Sequence, residues 1–276
     1  MTLAQALAAA ANLGIARLDA QLLLLQAIGR APSDRAWLLA HDGDCLDAAQ
    51  QHQFTALCAR RAAGEPLAYI AGRREFYGLD FAVDSRVLVP RPDTETLVDW
   101  ALELLTACAA PRVIDLGTGS GAIALAIKSR RADARVVAID RSPHALAVAA
   151  ANARTHGLDV DFRCGHWLAG VAERFDLIVS NPPYVATGDP HLADLVHEPH
   201  DALVAGPDGL DDVRTIVAQA PGCLRAGGWL LVEHGYDQAA AVRGLLLGHA
   251  GFQQVKSRRD LAGIERCSGG QWLELG

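Results

Sequence analysis

The tetrapeptide Asn181-Pro182-Pro183-Tyr184 is the stretch whose residue types could do chemistry most directly. It follows Phe175-Asp176-Leu177-Ile178-Val179, an apolar run that reads as a buried parallel strand, so it sits where a strand ends. Proline has no amide proton and cannot extend a sheet ladder. Two in succession force an extended turn that offers carbonyl groups without competing N–H donors. With the Asn181 side-chain carbonyl and the Tyr184 ring added, the turn suits a flat NH2-bearing group, either a carboxamide or the exocyclic amine of a base. A bare strand terminator would use the same prolines, and the residues upstream decide between the two readings.

Upstream lies Arg112-Val113-Ile114-Asp115-Leu116-Gly117-Thr118-Gly119-Ser120-Gly121-Ala122-Ile123-Ala124. A β-branched apolar strand runs into three alternating glycines and then an Ala-rich helix, Ala122 to Arg130, the setting that a cofactor loop requires. The spacing is Gly-x-Gly-x-Gly and no Lys-Ser or Lys-Thr follows, so neither a dinucleotide fingerprint nor a P-loop is matched in full. A second strand, Arg135-Val136-Val137-Ala138-Ile139, ends in Asp140, about twenty residues past the loop, where an acid can accept both hydrogen bonds of a ribose diol. Ser142-Pro143 then supplies the N-cap and first position of the next helix.

Val-Ile-Asp-Leu-Gly-Thr-Gly-Ser-Gly, then Ala-Ile-Asp, then Ser-Asn-Pro-Pro-Tyr-Val resembles a class I S-adenosyl-L-methionine-dependent methyltransferase, in the form that methylates planar nitrogen. Further pieces are similar to the release factor glutamine methyltransferase family, the PrmC/HemK type. They are Pro66-Leu67-Ala68-Tyr69-Ile70 with Gly72, Glu75-Phe76-Tyr77-Gly78, Val89-Pro90-Arg91-Pro92-Asp93-Thr94-Glu95, Glu198-Pro199 with Ala202-Leu203, Asp208-Gly209-Leu210, Glu233 to Gln238 and Asp260 to Gly263. The resemblance runs from about residue 17 to the C-terminus. It implies that Asp115, Gly117, Thr118, Gly119, Ser120, Gly121, Asp140, Trp167 and Asn181 hold S-adenosyl-L-methionine. It implies that Asn181, Pro182, Pro183, Tyr184, Arg91 and Pro92 meet the substrate, with Asn181, Pro182 and Tyr184 as the catalytic set. Pro92-Asp93 equally makes an ordinary helix start with Asp93 as N-cap. At His166 the chain departs from the pattern, which more often has an acid before the aromatic.

The activity so implied is methylation of the side-chain amide nitrogen of the glutamine in the Gly-Gly-Gln motif of peptide chain release factors. The alternative is a nucleic-acid methyltransferase acting on an exocyclic amine such as that of adenine, since the base presents a similar flat NH2. A third class, a cofactor-binding module without catalysis, has no use for an acceptor turn.

Composition bears on these choices. The chain has 276 residues, 51% of them hydrophobic, which is enough to bury a large core. Its formal charge is −7 and it has no basic run, which argues against a nonspecific nucleic-acid surface and against direct nucleic-acid binding. Six scattered cysteines without Cys-x-x-Cys spacing read as reduced thiols. Residues 1 to 16 look like an amphipathic helix rather than a signal peptide, and no transmembrane stretch exists, so a cytoplasmic protein without membrane contact is expected; a monomer is also expected. His197-Glu198-Pro199-His200 has the wrong spacing for a zinc helix; its histidines read as solvated loop residues, and no metal is expected.

The elements that must position these residues follow from periodicity. Residues 1–65 carry helical patterning with breaks at Gly14, Pro32 and Gly43, giving four or five short helices in a small all-helical substrate-recognition domain. Residues 66–92 read as a β-hairpin linker with turn signals at Gly72 and Gly78. Residues 93–276 form the methyltransferase domain, with strands near 112, 135, 160, 175, 229, 254 and 271 alternating with helices, an α/β, doubly wound Rossmann-like sheet. The resemblance implies seven strands and an antiparallel last hairpin. Gly269-Gly270 before Gln271-Trp272-Leu273-Glu274-Leu275 predict a turn into the final strand.

Overall fold

The computed structural model describes residues 1–274 and divides into two compact units, Met1–Arg73 and the chain from Arg74 onward. Leu275 and Gly276, part of the expected final strand and domain, lie outside the described residues.

The first unit is helical: α1 (Leu3–Asn12), α2 (Arg17–Ala27), α3 (Arg35–Ala40), α4 (Ala48–Ala62) and α5 (Leu67–Ala71). Reciprocal capping boxes start two of these. Thr2 Oγ1 accepts from Gln5 N and Gln5 Oε1 from Thr2 N, and Asp47 pairs with Gln50 in the same way ahead of α4. The Leu23-Leu24-Leu25 run of α2 is fully buried among Leu38, Phe54 and Leu57. The segment expected to open the hairpin begins instead with α5. Pro66 precedes it with a preset φ, and Gly72 ends it in the left-handed conformation at φ 71°.

Strands β1 (Arg73–Phe76) and β2 (Leu79–Ala82) then make the expected hairpin, turning through Tyr77 and Gly78, both with positive φ. A 3-10 turn, Pro92–Thr94, leads into α6 (Glu95–Leu105). Asp93 lies inside that turn and caps nothing; Arg91 occupies the position before it, because Pro92 takes the first helical place. There follow β3 (Arg112–Leu116), α7 (Ala122–Arg130), β4 (Arg135–Asp140), α8 (Pro143–His156), β5 (Asp161–Cys164), β6 (Phe175–Ser180), 3-10 turns at Pro190–Leu195 and His200–Ala202, α9 (Asp211–Cys223), β7 (Leu224–Glu233), α10 (Ala239–Leu247), β8 (Phe252–Arg259) and β9 (Glu265–Trp272).

The sheet has seven strands in the order β5-β4-β3-β6-β7-β9-β8, parallel from β5 to β7, with β9 antiparallel to both β7 and β8. Ile114, Ile178 and Leu230 bury one face against Val213, Ile216 and Val217 of α9 and Val242 of α10, and α6 packs against β6, β7 and β9. The predicted Gly269-Gly270 turn is absent. Both glycines lie inside β9, where a Cβ on Gly269 would stand 2.6 Å from the Leu230 carbonyl oxygen and 3.2 Å from the Trp100 ring. Close approach of neighbouring chains, not a turn, requires glycine there. Chain order reverses between β3 and β6, the switch point at which such sheets open a crevice at their carboxyl ends.

Candidate active site

At that switch point register does the assembling. Leu116 of β3 pairs with Ile139 of β4 and with Ser180 of β6, so Gly117, Asp140 and Asn181 each leave the sheet at the same level. Ser180 Oγ donates to the Leu116 carbonyl at 2.8 Å and pins the two strand ends together. A cavity of about 490 Å³ opens there, a size suited to a nucleoside-bearing ligand.

Gly117, Gly119, Asp140, Trp167, Asn181 and Pro183 line the cavity. Asp115, Thr118, Ser120, Gly121, Pro182, Tyr184, Arg91 and Pro92 are not among its lining residues and stand behind or beside it. Gly117, Gly119 and Gly121 adopt φ of 70°, 56° and 85°, which side-chain-bearing residues rarely hold. A Cβ on Gly117 would also press to 3.1 Å from the Trp167 ring. Asp140 Oδ2 accepts the Gly119 amide at 2.9 Å and Oδ1 the Ser142 amide at 2.8 Å, so the acid ties the glycine loop to the start of α8. Ser142 caps α8 as its sequence predicts, accepting from Ala145 N at 3.2 Å. Trp167 is 7% exposed, with its indole N–H donated to Asp212 at 3.1 Å, and His166 lies beside it on the cavity wall.

Behind the loop, Asp115 is fully buried. Thr118 Oγ1 donates to its Oδ2 at 2.6 Å and Ala124 N at 3.2 Å, and Oδ1 has no partner. Burial pushes its pKa up to about 7 against those two hydrogen bonds. Thr118 and Ser120 are buried.

Asn181 has Nδ2 donated to Thr94 Oγ1 at 3.2 Å, while its Oδ1 is buried without a partner. After the prolines the chain pairs at once: Tyr184 N and Val185 N both donate to the Leu203 carbonyl, at 3.1 and 2.8 Å. Gln238 Nε2 donates to the Tyr184 carbonyl at 3.0 Å, and a Cβ on Gly209 would collide with that carbonyl. Burial and the nearby Glu233 raise the Tyr184 pKa to about 12, so it stays a neutral phenol.

Three residues without an assigned role in the sequence reading prove structural to this site. Glu198 is buried; it accepts from Val89 N at 3.1 Å and pairs with the Arg91 guanidinium. That pairing anchors the 3-10 turn His200–Ala202, whose residues form part of the cavity wall. Glu233, at the end of β7, is 2% exposed, and Thr94 is 4% exposed. All three fall within the stretches that carry the family resemblance, but the residues around them do not show their burial or their partners, which lie far along the chain. Among the described residues no cluster of His, Cys, Asp or Glu is arranged to hold a metal ion, and no helix is long and apolar enough to cross a membrane.

Residues 94–208 match the family described as Methyltransferase small domain, and residues 2–72 match the PrmC N-terminal domain. The hMettl16 catalytic domain in complex with MAT2A 3'UTR hairpin 6 superposes with a TM-score of 0.58 over 80% of this chain and 82% of that one. At 19% identity this is a likeness of fold. A release factor glutamine methyltransferase of Bordetella pertussis strain Tohama I is 51% identical over 264 residues, 94% of this chain and 96% of its own. Another, of Xylella fastidiosa strain Temecula1, is 53% identical over 270 residues, 96% of this chain and 97% of its own. With relatives so similar aligned over nearly their whole length, the chain belongs to the release factor glutamine methyltransferase family.

Proposed function

We propose that the protein transfers a methyl group from S-adenosyl-L-methionine to the side-chain amide nitrogen of the glutamine in the Gly-Gly-Gln motif of peptide chain release factors. The observation that carries this reading is the Asn181 Oδ1 atom. It is a buried carbonyl acceptor without a partner, on a residue that lines the cavity beside the glycine loop. A buried acceptor left unpaired costs free energy, and an amide NH2 from a substrate would satisfy it.

The residues fit the cofactor. Gly117 and Gly119 leave room for close approach along the cavity wall, and Trp167 offers an aromatic surface for adenine. Asp140 keeps lone pairs free for a ribose diol after accepting its two backbone amides. Asp115 stands behind the loop with an unpaired oxygen. Bound there, S-adenosyl-L-methionine supplies an electrophilic methyl group on a sulfonium.

An amide nitrogen is a poor nucleophile because its lone pair is delocalised into the carbonyl. The Asn181 side-chain carbonyl and the Pro182 backbone carbonyl would each accept one N–H of the substrate amide, fixing the nitrogen and directing its lone pair. Alignment of this kind contributes about 7–11 kcal/mol in well-oriented systems. The Tyr184 phenol, neutral across the working range, covers the flat face of the amide and takes no proton. Arg91, held by Glu198, and Pro92 flank the substrate. Proton loss to water follows bond formation, when the nitrogen becomes acidic. The helical unit, residues 1–65, grips the protein substrate, and all six cysteines are free, in keeping with work in a reducing cytoplasm.

Incubation with labelled S-adenosyl-L-methionine and either a release factor or DNA tests this reading. Label should pass to the release factor alone; label passing to DNA instead would reject it.

A further inference from the structure

Asn181 can serve the substrate only if its amide is the right way round. The oxygen and nitrogen ends of a carboxamide have nearly the same shape, and a flip would present an NH2 to the incoming NH2. Something must therefore set the orientation. The 3-10 turn Pro92–Thr94 places the Thr94 hydroxyl 3.2 Å from Asn181 Nδ2, as acceptor. A hydroxyl that accepts there must send its own proton elsewhere. Val232 pairs with Ser180, so the next residues, Glu233 and Asn181, end their strands side by side. Glu233 is near enough to Thr94 and Asn181 for both to hold its pKa down, and its Oε2 is buried without a partner. An ionised carboxylate only accepts, so it can take the Thr94 proton and repel the Asn181 oxygen.

We infer that Glu233, acting through Thr94, is a positioning residue that holds Asn181 with its NH2 turned inward and its carbonyl turned to the methyl acceptor. This rests on the methyl-transfer reading above. Protonated Glu233 would donate to Thr94 Oγ1, free the Thr94 proton to point at Asn181, and favour the flipped amide. Burial, with the charge of Asp93, raises the Glu233 pKa to about 7, while Thr94, Arg266 and Asn181 oppose the rise. Tyr184 and Cys267, which also face Glu233, have raised pKa values and remain neutral across this range. The turnover number should therefore fall as pH drops through about 7. Asp115 has a pKa in the same region, so the wild-type profile alone does not separate the two carboxyls, whereas Glu233→Gln does.

The test compares the full-length wild type with Thr94→Val, Thr94→Ser and Glu233→Gln, measuring kcat, KM for release factor and calorimetric affinity for S-adenosyl-L-methionine. Thr94→Val should lower kcat by roughly tenfold with little change in either binding constant, and Thr94→Ser, which keeps the hydroxyl, should recover most of that loss. Glu233→Gln should abolish the fall in kcat on the acid side. Retained kcat in Thr94→Val, equal losses in Thr94→Val and Thr94→Ser, or an acid-side fall that survives Glu233→Gln would each overturn the inference. If Thr94→Val does not fold, the Glu233→Gln profile decides. A readout independent of transfer is the pair of side-chain amide proton resonances of Asn181, assigned by their loss in Asn181→Ala. They should titrate near neutral pH in the wild type and not in Glu233→Gln. Absence of that titration sinks the positioning role even if release factors are methylated; its presence with no methylation sinks the substrate reading alone.

Discussion

Asp140 holds two backbone amides from different elements and still faces the cavity, so a single carboxylate both ties down the glycine loop and is free for the ribose role proposed for it. Asp140→Ala should weaken S-adenosyl-L-methionine binding by about 2–4 kcal/mol, the loss of two charge-assisted hydrogen bonds, with a loosened Gly119 adding to it. Calorimetry checks this, and unchanged affinity rejects the assignment. Asp140 and Asn181 are legible from sequence because their meaning is local: each follows an apolar strand and precedes a break. Glu198 and Thr94 are not. Their partners Arg91 and Asn181 lie 107 and 87 residues away, so although both residues fall in stretches that resemble the family, the pairings they make are not written in the residues around them. Deep burial of these groups is a product of the tertiary fold alone.

Among the elements, strands that bury both faces are the easiest to read, and β3, β4 and β6 start at the positions their β-branched runs predict. β9 shows the converse. Its adjacent glycines have the composition of a turn, yet they lie mid-strand, where Leu231 and Trp100 crowd Gly269 and Val255 and Phe252 crowd Gly270. Gly269→Ala should destabilise the protein by about 1–3 kcal/mol through overpacking, measured as a lowered denaturation midpoint; an unchanged midpoint would contradict the packing account. The same strand carries Gln271 after Gly269-Gly270, the tripeptide assigned to the substrate. Gln271 Nε2 donates to Gly227 O at 2.9 Å, and its Oε1 accepts from Gln254. It pairs with Trp229, in the middle of β7, and both ends of its side-chain amide are taken by these hydrogen bonds. Gln271 should therefore remain unmethylated, and an intact-mass gain of a methyl after incubation with cofactor alone would overturn this.

For the whole molecule, every candidate cofactor residue belongs to the unit that begins at Arg74, and none belongs to the helical unit. One loop glutamine gives a partner few contacts, whereas choosing a single protein takes a surface of about 800 Å² per partner. A chain beginning at Gly72, after α5, should keep its affinity for S-adenosyl-L-methionine and methylate intact release factor far more slowly. Equal rates with and without the helices would refute the gripping role, and loss of solubility would point to a shielding one. The most direct measurement of the central claim is tandem mass spectrometry of a release factor treated with the wild type and with Asn181→Ala. The account predicts one methyl on the side-chain nitrogen of the Gly-Gly-Gln glutamine with the wild type and next to none with the variant, whose cofactor affinity changes far less than its rate. A methyl on any other residue, or full transfer by Asn181→Ala, would contradict it.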